Sequence, residues 1–166
     1  MTLEIGPASP SDAEAIRSIY AFHVLNGTAS FDTVPPDLPF WQDKIALITT
    51  RGWPFITCRE DGRVLGYAYA TQFRDRPAYA RTCEDSIYVA DRERGRGIGK
   101  LLLAELLKQA QACGFEQMIA VIGGGEPASV ALHSGLGFVE AGRMRDVGFK
   151  FGRRLDTVYM QRSLRD

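Results

Sequence analysis

The residues best suited to chemistry lie in one stretch, Arg92-Glu93-Arg94-Gly95-Arg96-Gly97-Ile98-Gly99-Lys100. A strand-like run ending at Val89 precedes it, and an apolar helical stripe follows. Glycines let the backbone approach an anion closely, a helix N-terminus offers free N–H groups, and arginines add positive charge. The stretch therefore predicts a phosphorylated cofactor held by Arg94, Gly95, Arg96, Gly97, Ile98, Gly99 and Lys100. Two phosphate motifs fail on residue identity. A dinucleotide fingerprint needs a glycine where Lys100 stands, and a P-loop needs glycine at Arg94 and Ser or Thr at Leu101. What is present is Arg-x-x-Gly-x-Gly, at Arg94, Gly97 and Gly99.

The elements that must position this loop follow from periodicity and punctuation. Leu3 to Pro7 reads as a strand, and Ser9-Pro10-Ser11-Asp12 as a helix entry with Ser11 or Asp12 as the cap. Ile16, Ile19, Tyr20 and Val24 recur at helical spacing until Asn26-Gly27. A proline-rich link leads to a second helix over 40–50. Strands are expected at 55–59 and 64–70 around the hairpin signal Asp61-Gly62, and at 82–89. Ile98, Leu102, Leu106 and Ala110 form one helix stripe closed by Gly114. A strand at 117–122, a short helix at 127–135, and strands starting at Phe138 and over 157–161 complete the order β-α-α-β-β-β-α-β-α-β-β. With no internal repeat and no linker, residues 1–166 are expected to form a single α/β domain.

Composition narrows the function classes. Twenty acidic and twenty basic residues balance, which argues against a nucleic-acid partner. The apolar runs are too short to span a bilayer, and the N-terminus starts directly into a strand pattern, so a cytoplasmic protein without a membrane partner is expected. Cys58, Cys83 and Cys113 lack zinc-type spacing, and no metal is expected. Strand alternation turns Cys83 away from the face shared by Glu84 and Ser86, which disfavours a cysteine nucleophile there.

The Arg94-Gly97-Gly99 signature, with Leu132-His133-x-x-x-Gly137-Phe138 downstream, resembles the GNAT acetyltransferases. Within them the chain is similar to the phosphinothricin and methionine sulfoximine acetyltransferase group over residues 3 to 164. Thr28-Ala29-Ser30-Phe31, Thr82-x-Glu84-x-Ser86-Ile87-Tyr88-Val89, Ala120-Val121-Ile122 and Val147-Gly148-Phe149-Lys150-Phe151-Gly152 carry the likeness. The resemblance implies the GNAT fold of the α/β (α+β) class, a single mixed and mostly antiparallel sheet flanked by about four helices. It also implies acetyl transfer from acetyl-CoA to the primary amine of a small amino-acid-like substrate, in a homodimer.

Residue roles follow from the same resemblance. Ile87, Tyr88 and Val89 would pair with the pantetheine through their backbone. Glu84 would be the general base, and His133 the proton donor to the departing thiolate. Arg74, Asp75 and Arg76 match the substrate-contacting loop, and an arginine fork suits a carboxylate or phosphinate. Asp85 and Ser86 belong with the acceptor too, while Phe31, Tyr79 and Phe149 suit either a pocket wall or the core. Glu126 stands where the group has a cofactor-contacting asparagine. An ionised glutamate cannot donate a hydrogen bond and repels phosphate, so it either turns away or sits on a rebuilt backbone. Another amine acceptor (a polyamine or a protein N-terminus) and a non-catalytic acetyl-CoA-binding module are the competing readings.

Overall fold

The computed structural model describes all residues, Met1–Asp166. The elements run β1 (Glu4–Pro7), α1 (Ala13–Asn26), α2 (Leu38–Thr50), β2 (Phe55–Glu60), β3 (Arg63–Gln72) and β4 (Thr82–Val89). Then come α3 (Ile98–Ala112), β5 (Gln117–Gly123), α4 (Pro127–Gly135), β6 (Val139–Lys150) and β7 (Arg153–Ser163). The seven strands form one sheet in the order β1-β2-β3-β4-β5-β7-β6. The order of elements is the one the periodicity predicts, and the sheet is mixed and mostly antiparallel as expected.

The one parallel contact shapes the molecule. β4 and β5 pair only over Thr82↔Gln117, Cys83↔Met118 and Glu84↔Ile119. Beyond Glu84, β4 stays paired to β3 as far as Val89↔Gly66, while β5 stays paired to β7 as far as Gly123↔Thr157. A wedge-shaped gap therefore opens inside the sheet between Asp85–Val89 and Ala120–Gly123.

Each sheet face has its own core. On one face α3 lays Ile98, Leu102, Leu103, Leu106 and Ala110 against Ile56, Cys58, Ala68, Cys83, Met118 and Met160. A Cβ at Gly66 would meet Tyr88 O at 3.1 Å and the Ile98 and Leu102 side chains at 3.2 Å, so glycine there lets α3 lie close to the sheet. On the other face α1 and α2 pack Ile16, Ile19, Trp41, Ile45 and Ile48 on Phe55, Tyr67 and Tyr69.

Two local expectations need correction. Neither Ser11 nor Asp12 caps α1 with its side chain. Asp12 accepts from the Ser9 N–H at 2.8 Å and pairs with Arg59, closing the short turn before the helix. The last strand is also longer than its apolar core of 157–161 suggests, because the turn at Phe151-Gly152 folds β6 and β7 into a long hairpin.

Candidate active site

The glycine loop lies at the C-terminal end of β4, on the gap. Gly95 and Gly97 both adopt φ of 78°, a conformation only glycine takes easily, and Gly97 is the residue from which α3 starts. The first intrahelical bond of α3 runs from Leu101 N–H to Gly97 O, which leaves the preceding N–H groups without helical acceptors. The loop thus offers the anion cradle its composition predicts.

Its arginines divide. Arg94 lines the cavity beside the loop, with its guanidinium 3.4 Å from Asp91. Arg96 turns away, donating to Glu60 at 2.8 Å and also to Glu93, which takes a further bond from Arg63 at 3.0 Å. The expectation that the Arg96 side chain holds phosphate is therefore corrected: two carboxylates occupy its fork, and it staples the loop to the β2–β3 hairpin. The Ile98 side chain is buried in the α3 core, which leaves only its backbone to the cofactor site, and Lys100 is exposed.

The gap continues into a cavity of ≈ 700 Å³. It is lined by α1, the 27–32 segment, Glu84–Val89, Ala120–Gly123 and α4. Of the residues singled out in the sequence, the cavity gathers Phe31, Glu84, Asp85, Ser86, Ile87, Tyr88, Val89, Arg94, Gly99, Glu126 and His133. Arg74, Asp75, Arg76 and Tyr79 stand outside its lining, on the exposed turn before β4. Arg74 lies over the Phe73 ring at 4.1 Å, and Gln72 pins the turn by donating to the carbonyls of Arg74 and Arg76. Phe149 is exposed and outside the lining.

Glu84 is half-buried and has no hydrogen-bond or ion-pair partner among the side chains. Burial pushes its carboxyl above the usual carboxylate range, more strongly than the positive charges of Arg74 and Lys44 pull it down, and Asp85 adds to the rise. Such a group can accept a proton. Its neighbour Asp85 has the opposite fate. Its side chain is buried and its Oδ2 lies 2.7 Å from His133 Nε2, so its assignment to acceptor binding is corrected. Cys83 faces the α3 core, where burial pushes its thiol well up, so it does not serve as a nucleophile.

Glu126 turns back onto its own helix. Its carboxylate caps α4, accepting from Ala128 N–H at 3.2 Å and Ser129 N–H at 2.8 Å. Its predicted role as a cofactor contact is thereby replaced by helix capping, which occupies the acceptor oxygens and neutralises the helix end.

Sequence reasoning missed the frame around the 27–32 segment. Tyr20 bonds to Ser30 Oγ at 2.7 Å and donates to Asp32, and the buried Lys150 donates to Ser30 O at 2.8 Å. His23, on α1, donates from Nε2 to Val89 O at 2.8 Å and closes the end of β4. Burial pushes its pKa down, against that hydrogen bond, which keeps the ring neutral. The sequence signals for this frame were two motifs, Thr28-Ala29-Ser30-Phe31 and the aromatic and glycine-rich stretch that holds Lys150. Phe31 fits a slot made by two glycines: a Cβ at Gly148 would lie 2.4 Å from its ring, and one at Gly123 would lie 2.9 Å from it.

The family model described as the acetyltransferase (GNAT) family matches residues 16–138. The chain therefore belongs to the GNAT family of acetyltransferases. It is 47% identical over 154 residues to the phosphinothricin N-acetyltransferase of Alcaligenes faecalis, covering 92% of this chain and 78% of that one. It is 39% identical over 165 residues to the L-methionine sulfoximine/L-methionine sulfone acetyltransferase of Pseudomonas aeruginosa, covering 99% and 96%. The crystal structure of a phosphinothricin acetyltransferase from Sinorhizobium meliloti, in complex with AcCoA, superposes with a TM-score of 0.95 at 47% identity over 98% of this chain and 89% of that one.

The Phe31 slot is directly testable. Gly148→Ala is expected to destabilise the fold by about 1–3 kcal/mol through overpacking. Phe31→Ala in the same chain is expected to recover most of that loss, as urea unfolding of the single and double variants would show. Equal losses in both backgrounds would mean that the ring does not fill the slot.

Proposed function

We propose that this protein transfers the acetyl group of acetyl-CoA to the primary amine of a small amino-acid-like acceptor of the phosphinothricin, methionine sulfoximine or methionine sulfone type. The observation that carries the reading is Glu84, an unpartnered carboxyl with a raised pKa at the apex of the gap that starts at the glycine loop. The residues present fit acetyl-CoA. Positive-φ glycines and the α3 N-terminus suit its pyrophosphate, and the open edge of β4 from Asp85 to Val89 suits an extended arm carrying amides.

The chain's own groups then divide the work. The loop and Arg94 hold negative charge, and the β4 edge aligns the arm so that the thioester reaches Glu84. A backbone N–H on that edge stabilises the oxyanion as the amine attacks. Glu84 takes the ammonium proton, directly or through a water. No cysteine lines the cavity, which supports direct transfer over a covalent relay. The charge of Arg74 reaches Glu84 from the exposed turn before β4, which supports an acceptor with an acidic or tetrahedral head group.

The apolar side chains left open on β6 support a homodimer. This strand is the free edge of the sheet, and Val139, Val147 and Phe149 are 67%, 54% and 72% exposed. Exposed apolar side chains on a sheet edge favour a covering partner.

Four measurements test the reading. Glu84→Gln is expected to lower kcat/KM by about 10²–10⁴-fold while acetyl-CoA binding persists. The wild-type rate should climb with pH through the raised Glu84 pKa, and this limb should be absent in the variant. Retained turnover in Glu84→Gln would remove the base assignment, whereas binding without turnover in the wild type would favour a non-catalytic module. In an acceptor panel, CoA release is expected with L-phosphinothricin and methionine sulfoximine and not with spermidine; the reverse would reassign the acceptor. For assembly, light scattering should give the mass of two chains for the wild type and one for Val147→Asp/Phe149→Asp, and a monomeric wild type would end the dimer proposal.

A further inference from the structure

The pair formed by Asp85 and His133 joins two elements that the sheet itself does not join. Asp85 is the first β4 residue past the last parallel pair with β5, and His133 sits on α4, the helix that follows β5. The gap passes between these elements, and both residues line the cavity within it. The His133 ring is 4% exposed and edge-on to Phe138 at 4.9 Å. Its Nδ1 lies 2.7 Å from the Ser129 carbonyl oxygen, and its Nε2 lies 2.7 Å from Asp85 Oδ2.

The geometry fixes the proton inventory. A carbonyl oxygen only accepts, so Nδ1 carries a hydrogen. Once the ring is protonated, Nε2 donates to Asp85 as well, and both N–H groups of that imidazolium are committed. Burial works against that charge, but the hydrogen bond and charge of Asp85, joined by the Ser129 carbonyl, outweigh it and raise the ring's pKa. A cation held this way is a weaker acid than free imidazolium, and neither of its protons points at a substrate. The other Asp85 oxygen, Oδ1, is buried with no partner. His133 is therefore all that balances the carboxylate.

We propose that Asp85 is a positioning residue: it clamps the protonated His133 ring beside the closed end of the strand gap and so fixes α4 as a wall of the cosubstrate channel, and His133 is not the proton source for the leaving thiolate. The proposal rests on the acetyl-CoA reading of the channel, not on the identity of the acceptor. In the transfer the new C–N bond forms as the thioester C–S bond breaks. Glu84 takes the first ammonium proton. As the C–S bond breaks, the second nitrogen proton passes to solvent and the departing CoA thiolate takes one up from solvent, so the net proton released is the one on Glu84. A thiol with a pKa of about 8.5 needs no dedicated acid to depart near neutral pH.

A set of variants separates a clamp from an acid. His133→Gln leaves the buried Asp85 without its counter-charge, and is expected to raise the KM for acetyl-CoA about tenfold or more, a binding loss of about 1.4 kcal/mol. Asp85→Asn/His133→Gln replaces the ion pair by two amides that can bond to each other. It is expected to bring the KM back toward wild type, with kcat within about threefold of it, since general acid catalysis worth about 10²–10⁴ would not be missing. A kcat that falls about a hundredfold in both variants, with the alkaline limb of its pH profile displaced, would make His133 the acid and overturn the proposal. A second readout uses the wild-type protein alone, so a variant that fails to fold does not decide the matter. In ¹⁵N-histidine NMR at pH 7.5 without acceptor, His133 should show both ring nitrogens protonated, while His23 should show one. A neutral His133 would overturn the proposal equally. Loss of turnover on every acceptor with this signature intact would count against the proposed function only.

Discussion

The divergence of β4 and β5 after three parallel pairs is the constraint on which the rest of the molecule depends. Each strand remains fully paired on its outer side, to β3 and to β7, so the gap opens without unravelling the sheet. It does expose backbone N–H and C=O groups along the inner edges, and such groups demand partners. An extended chain with amides spaced like a peptide satisfies them as a strand would. The same divergence directs both following helices, α3 after β4 and α4 after β5, with their N-termini toward the carboxyl end of the gap. Ligands of mixed and parallel sheets bind at such switch points for this reason.

A gap in a sheet is useful only if its walls stay still. The glycine loop is conformationally permissive and is steadied from outside, by Arg96 between Glu60 and Glu93 with Arg63 behind them. These pairs are partly exposed and contribute little to stability one by one. Their effect is geometric, because they fix where the loop's free N–H groups point. The opposite wall is held by shorter-range means. Tyr20 and Lys150 grip Ser30 from two sides, and Phe31 drops into the slot left by Gly123 and Gly148.

The order of elements was legible because apolar periodicity and glycine or proline punctuation agree along nearly the whole chain. The phosphate loop was legible for the same local reason, since glycines and arginines at fixed spacing state their chemistry. The limits are also physical. β6 is exposed along most of its length, so it carries no alternating burial signal from which its extent could be read. Nothing in the spacing distinguishes Arg94 from Arg96; only the return of the β2–β3 hairpin, with Glu60, separates a cavity residue from a staple. His23 with Val89, Lys150 with Ser30 and Asp85 with His133 are partners 66, 120 and 48 residues apart, and only folding brings them together.

Glu84 and Asp85 show how little sequence distance is needed to divide labour. Strand alternation sends them to opposite faces of β4, and the faces differ in what they offer a carboxylate. On the α4 side Asp85 finds an imidazole and becomes half of a closed ion pair. On the α1–α2 side Glu84 finds no donor, only the more distant charges of Arg74 and Lys44, and its proton affinity rises. The closed pair costs the site nothing in reactivity, because its charges are spent on each other. The open carboxyl keeps its lone pairs for a substrate. On the proposed reading, two adjacent acids with diverging environments divide between structure and chemistry, and what divides them is the direction in which one strand turns its side chains.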